Sequence, residues 1–140
     1  MTQIEILDDS VSWPLTIPIG RSNYDGVPSA VATLSADIKP WQLIGWRDPI
    51  SNTIGVARKH QAITLSINSV DAISISFMQR AKGPGFVSLE AKIQRSHRPV
   101  ILFEVVHFDE DALRWLRDRT QQLEMLFGIP ISVNDYGSDY

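Results

Sequence analysis

Between residues 61 and 106 apolar and polar side chains alternate with a period of two, a spacing that strands satisfy and helices do not. Ile63, Leu65 and Ile67 alternate with Thr64, Ser66 and Asn68. After residues 68–71, where Asn and Asp favour a turn, Ile73, Ile75 and Phe77 alternate with Ser74 and Ser76. Val87, Leu89, Ala91 and Ile93 then form an apolar face, with Ser88, Glu90, Lys92 and Gln94 on the opposite, wet face. Residues 100–106 (VILFEVV) are apolar at nearly every position, which predicts a central strand covered on both faces. The breaks at residues 80–85, which end in Gly83-Pro84-Gly85, and at residues 95–99 are short. Short links between strands predict a four-strand antiparallel meander.

The pattern changes after residue 108. Leu113, Leu116, Thr120, Leu123 and Phe127 recur at three- and four-residue spacing, with Ala112 and Leu126 widening the stripe, so residues 109–127 read as one amphipathic helix. Asp109 suits the N-cap, and Glu110 and Asp111 place negative charge at the positive end of the helix dipole. Phe108 and Leu113 fit a hydrophobic staple, and Glu110 stands four residues before Arg114 as a helpful ion pair. Gly128 suits the C′ position, and Pro130 prevents continuation. Residues 129–133 offer one more edge strand.

Before residue 58 the short strand candidates are residues 3–7, 14–19, 30–34, 41–46 and 53–57, with a turn at residues 23–26. The expected fold is α+β and mainly β: an antiparallel meander, as a curved sheet or partly open barrel, closed by one C-terminal amphipathic helix. With 140 residues the chain is large enough for one core, so residues 1–133 are expected to form a single globular domain and residues 134–140 a flexible polar tail.

The chain has no cysteine, which removes disulfides, zinc–thiolate sites and thiol catalysis. The first ten residues lack the basic and apolar regions of a secretory signal, and no apolar run approaches the roughly 18 residues a membrane span needs. A cytoplasmic protein is the expectation. Charge is segregated: residues 1–48 sum to −3, residues 49–108 to +4 and residues 109–140 to −4. That balance argues against general nucleic-acid binding. His60, His97 and His107 have neither helical i, i+4 spacing nor a ligand motif, so no metal role is expected. No serine stands in a Gly-x-Ser-x-Gly elbow, and Gly83-Pro84-Gly85 lacks the Lys-Ser/Thr end of a phosphate loop. The Asp109-Glu110-Asp111 trio is better used as a cap than as a carboxylate site, because successive helix positions diverge. No catalytic residue and no cofactor is assigned.

One cluster departs from this pattern. If residues 53–57 pair with residues 63–67, the turn holding Arg58, Lys59 and His60 falls at the same end of the meander as the link holding Arg80 and Lys82. Beside accessible backbone N–H groups, these residues are the candidate ligand-binding site for phosphate or an acidic protein surface. Among the tryptophans, Trp41, Trp46 and Trp115 are expected in the core or at its margin, an exposed one pointing to an interface.

The segment from residue 63 to 131, strands followed by a capped helix that leaves through Leu126-Phe127-Gly128-Ile129-Pro130-Ile131, resembles the pleckstrin-homology-like domains of uncharacterised bacterial proteins. The resemblance covers about half the chain. It implies a curved barrel plugged by the helix, a binding or scaffolding role, and anionic-headgroup binding at Arg58, Lys59, Arg80 and Lys82. The leading functional expectation is a non-enzymatic interaction module for a protein partner or anionic ligand. Its alternative is a small enzyme whose acid–base site uses His107 or His60 with a carboxylate. A homo-oligomer built on exposed strand edges is compatible with either.

Overall fold

The computed structural model describes residues 1–8, 15–18 and 26–138. Among the described residues, nine strands lie in two open sheets. The first sheet has the order β1-β3-β4-β5, from β1 (Gln3–Asp8), β3 (Leu43–Asp48), β4 (Thr53–Arg58) and β5 (Gln61–Ser66), all antiparallel. The second has the order β2-β8-β7-β6-β9, from β2 (Leu15–Thr16), β6 (Val70–Gln79), β7 (Phe86–Ile93), β8 (Val100–Val105) and β9 (Ile131–Ser138). The helices are α1 (Ser29–Asp37), α2 (Glu110–Asp118) and α3 (Thr120–Phe127).

The expected pairing of residues 53–57 with 63–67 is present: Val56 faces Ile63 and Ile54 faces Leu65. The meander itself is divided. Residues 67–69 form a 3-10 turn that carries the chain from β5 in one sheet to β6 in the other, so these two strands do not pair. Local alternation reports which residues form strands but not which strands become partners, and a short link between sheets looks like a hairpin turn in sequence. The strand candidate at residues 30–34 is helical, part of α1. Of the candidates near the N-terminus, residues 14 and 19 and most of the 23–26 turn lie outside the described residues.

The first sheet is covered on both faces. Leu43, Ile54, Val56 and Ile63 point into the main core, while Ile44, Trp46, Ala57 and Ala62 join Val31 and Ile38 of the α1 region on the other side. Trp46 lies over Gly55, its cross-strand partner, where any Cβ would overlap the indole ring and the Ile63 carbonyl oxygen. Glycine is therefore the residue that lets this tryptophan lie flat on the sheet. The main core is completed by the second sheet and by α2 and α3. Trp115 of α2 meets Phe103 of β8 edge-on at 6.4 Å, and Leu126 and Phe127 of α3 reach Gly45 of β3.

The single expected helix is two. Asp109 caps α2 as anticipated, accepting from the N–H groups of Asp111 at 2.9 Å and Ala112 at 3.0 Å. At Arg119 (φ −100°, ψ 4°) the helical ladder stops, and the Arg119 N–H turns to the Leu116 carbonyl. Its side chain compensates: Nη1 donates to the Trp115 carbonyl at 2.9 Å, the oxygen that an unbroken helix would have bonded to the Arg119 N–H. Beyond the break α3 packs against β3 and β1 while the apolar spacing continues, which is why periodicity alone did not reveal it. Gly128 closes α3 in the left-handed conformation (φ 70°). The charge pair on α2 joins Arg114 to Asp111 at 3.4 Å, not to Glu110.

Beyond the helices the chain does not become a loose tail at residue 134. β9 runs from Ile131 to Ser138 and pairs in parallel with β6, Ile73 facing Ile131 and Phe77 facing Asp135. Parallel pairing needs a long crossover, here β7, β8 and both helices, and backbone bonding tolerates the polar run Asn134–Asp135 that sequence reads as tail. The strand at residues 100–106 is covered less than its composition suggests. A register shift skips Leu102, so Leu102 and Phe103 are both buried while Ile101 and Glu104 are half-buried on the outer face and Val106 is exposed.

Candidate functional site

The basic residues singled out from sequence occupy two links in different sheets. Arg58, Lys59 and His60 form the β4–β5 turn, with His60 at φ 59°, and Arg80 and Lys82 stand exposed in the β6–β7 link. The charged ends of the first pair are turned onto the domain's own backbone. The Arg58 guanidinium donates to the carbonyls of Leu15 and, at 2.8 Å, Pro40; Lys59 Nζ donates to the Ile38 carbonyl at 3.1 Å. The turn is also held by Ser35, whose hydroxyl donates to the Arg58 carbonyl at 2.6 Å. These bonds tie α1 and β2 to the first sheet, and none reaches Arg80 or Lys82. Burial lowers the Arg58 pKa from its usual value.

The histidines fall apart similarly. His60 is exposed in its turn and His107 is half-buried before α2. His97 shares a cavity of about 340 Å³ with Glu90 and Lys92, beyond the β7–β8 turn. Among the described residues no group of three His, Asp or Glu side chains could hold a metal ion.

A second arrangement comes from elements that sequence reading kept separate. β1 is an edge strand of the first sheet, and α3 packs beside it on β3. The residues between them line a groove of about 870 Å³: Gln3, Ile4 and Glu5 from β1, Asp118 from the end of α2, and Gln121, Gln122, Met125 and Leu126 from α3. Its walls are tied by Arg119 Nε, which donates to the Leu7 carbonyl at 2.8 Å, and by Gln122 Nε2, which lies 3.4 Å from Glu5 Oε2. Leu7 can offer its oxygen because the β1–β3 register slips between Ile6 and Asp8.

The groove carries an apolar floor and an acidic rim. Leu126 is buried beneath it, whereas Met125 is 76% exposed on the side of α3 away from the core. Two carboxylates, Glu5 and Asp118, line it, and no cationic side chain is among its described lining residues. A flexible thioether beside fixed negative charge suits apolar side chains flanked by lysine or arginine. Sequence reading missed this site because its walls lie more than a hundred residues apart. The available signal was Met125, an apolar residue outside the buried helical stripe.

Fold and groove together define a two-sheet β domain with a pair of helices wedged into its core and an open groove at one sheet edge. Residues 28–135 match the family model of the PM0294 C-terminal domain, and the chain belongs to that family. No curated protein and no solved structure matches the chain. The matched span runs from the residue before α1 into β9, so β1, which supplies Glu5 to the groove, precedes it. No helix of the described residues is long and apolar enough to cross a membrane.

Proposed function

We propose that the chain is a non-enzymatic interaction module and that a basic, partly apolar segment of a protein partner docks in the groove between β1 and α3. The observation that carries this reading is Met125, 76% exposed in a groove that two carboxylates, Glu5 and Asp118, also line. An apolar side chain held in water beside Glu5 and Asp118 gains most from a partner that brings both an apolar contact and positive charge. The pleckstrin-homology-like resemblance leads the same way, since it implies binding rather than catalysis. An anionic ligand held jointly by Arg58, Lys59, His60, Arg80 and Lys82 is the weaker reading, because Arg58 and Lys59 already bond the backbone carbonyls of Leu15, Pro40 and Ile38.

A fluorescently labelled peptide of alternating lysine and leucine tests the groove by anisotropy. The double variant Glu5→Lys/Asp118→Lys is expected to weaken binding about tenfold or more. Glu110→Lys/Asp111→Lys, with the same change in net charge, is expected to bind like the parent. Equal affinities for the two double variants would defeat the proposal.

A further inference from the structure

The outer face of the second sheet was expected to be wet, yet its central polar side chains are buried. Ser76 is 0%, Ser88 1% and Glu90 7% exposed. Their register places them together. Ser88 on β7 faces Ser76 on β6 and Glu104 on β8, and Glu90 follows Ser88 on the same face. Directly paired side chains on one face of antiparallel strands stand about 5 Å apart at Cβ. Ser76 Oγ donates to Glu90 Oε2 at 2.7 Å and lies 3.2 Å from Ser74 Oγ. Two features remain uncompensated. Ser88 Oγ is buried with no hydrogen-bond partner, and neither Glu90 nor Glu104 has an ion-pair partner among the described residues.

A buried hydroxyl without a partner loses its hydration for nothing in return. Two carboxylates on one half-dry face repel each other, and a cation between them relieves that cost. Burial, then the charge of Glu90, holds the Glu104 pKa above its usual value, in keeping with a counter-charge that is missing. Solvent reaches both acids. Glu90 lines the cavity of about 340 Å³ on one side of Pro99, and Glu104 lines another of about 340 Å³ on the other side, with Pro99 in the wall of both.

We propose that this face is a binding site for a primary alkylammonium group, with Glu90 and Glu104 as counter-charges and Ser88 Oγ as a third acceptor. Three acceptors match the three N–H donors of an ammonium group. A divalent metal fits less well, since this face offers two carboxylates and no group of three His, Asp or Glu side chains among the described residues could hold one. The other titratable or charged groups lining the two cavities are Lys92, His97, Arg98 and Tyr136. This site is separate from the β1–α3 groove and stands or falls independently of it.

The test is an NMR titration of the intact chain with n-butylammonium, tetramethylammonium serving as an equal charge without N–H donors. Butylammonium is expected to shift the amide signals of Ser88, Glu90 and Glu104 saturably, and tetramethylammonium to bind about tenfold more weakly. Glu90→Gln/Glu104→Gln should abolish the response and Ser88→Ala should weaken it, with the amide spectrum of each variant reporting that the fold persists. Should the double variant not fold, the single substitution Glu104→Gln is expected to weaken butylammonium binding about tenfold. A doubly capped lysine residue distinguishes the sources: saturable binding assigns the site to a protein side chain, and its absence beside butylammonium binding assigns it to a free amine. No saturable shift up to about 50 mM butylammonium, equal binding of tetramethylammonium, or an undiminished response in the folded Gln variants would overturn the proposal.

Discussion

Asp48 shows how one side chain fixes a turn. It ends β3 and is 6% exposed, covered by its own hairpin and by Thr2 rather than sunk in the core. Ser51 Oγ donates to its carboxylate at 2.6 Å and the Ile50 N–H at 3.2 Å, with Thr2 Oγ1 at 3.4 Å. The Ser51 hydroxyl bond is the main cause of a pKa below the usual 3.8, opposed by burial and reinforced by the backbone N–H groups of Ile50 and Ser51. A carboxylate depressed on folding stabilises the folded state above its unfolded pKa, and that contribution is lost as pH falls through the folded value. Asp48→Asn should therefore cost about 1 kcal/mol at pH 7, and the difference should vanish once the pH drops below the depressed pKa. Urea titrations of both chains across the acid range check this. A gap that persisted at the acid end would assign the effect to packing. Asp48 was not singled out from sequence, because an aspartate before a proline signals only a turn; what it holds depends on the hairpin register.

At the scale of elements, the α2–α3 junction rests on Arg119. Its guanidinium replaces the missing helical bond at the Trp115 carbonyl, reaches the Leu7 carbonyl on β1, and lies 4.6 Å from the centre of the Trp115 ring. Lysine keeps the charge but cannot donate in two fixed directions while stacking on an indole. Arg119→Lys should cost about 2 kcal/mol in a urea titration, with amide exchange accelerating first in α3 and β1. A chain as stable as the parent would refute this role. The same junction marks what the sequence made legible. Asp109, Gly128 and the apolar stripe act through neighbours within a turn or two, so cap, exit and buried face were readable. The break at Arg119 answers to β1, more than a hundred residues away, and leaves the stripe in phase. The groove was hidden for that reason too, since Glu5 and Met125 meet only after β1 joins β3. The alternation of Ser88 and Glu90 was read correctly as a face, while their burial depended on neighbouring strands that the pattern does not name.

For the whole molecule, the two cores share strands. Successive residues of β3 and β4 point alternately into them: Leu43 and Ile54 into the main core, Ile44, Trp46 and Ala57 into the smaller core under α1. The first sheet cannot lose one core without distorting the backbone that carries the other. The second sheet is bound in by α2 and α3, with Trp115 on Phe103 at one end of the wedge and Phe127 beside Gly45 at the other. The smaller core is therefore expected to unfold together with the main one, although its side chains form a separate cluster. Trp46 is fully buried in that cluster and Trp115 is buried in the main core, so the two indoles report on opposite sides of the first sheet. Two single-tryptophan chains, each with the other three tryptophans replaced by phenylalanine, give one probe per core. Each should show its own overall stability, because a Trp46→Phe change creates space beside Gly55. Within each chain, however, tryptophan fluorescence and far-ultraviolet circular dichroism should trace the same urea transition, as an all-or-none domain requires. A fluorescence transition from Trp46 that preceded the circular-dichroism transition would show that the α1 side melts separately, and that the shared strands do not couple the cores.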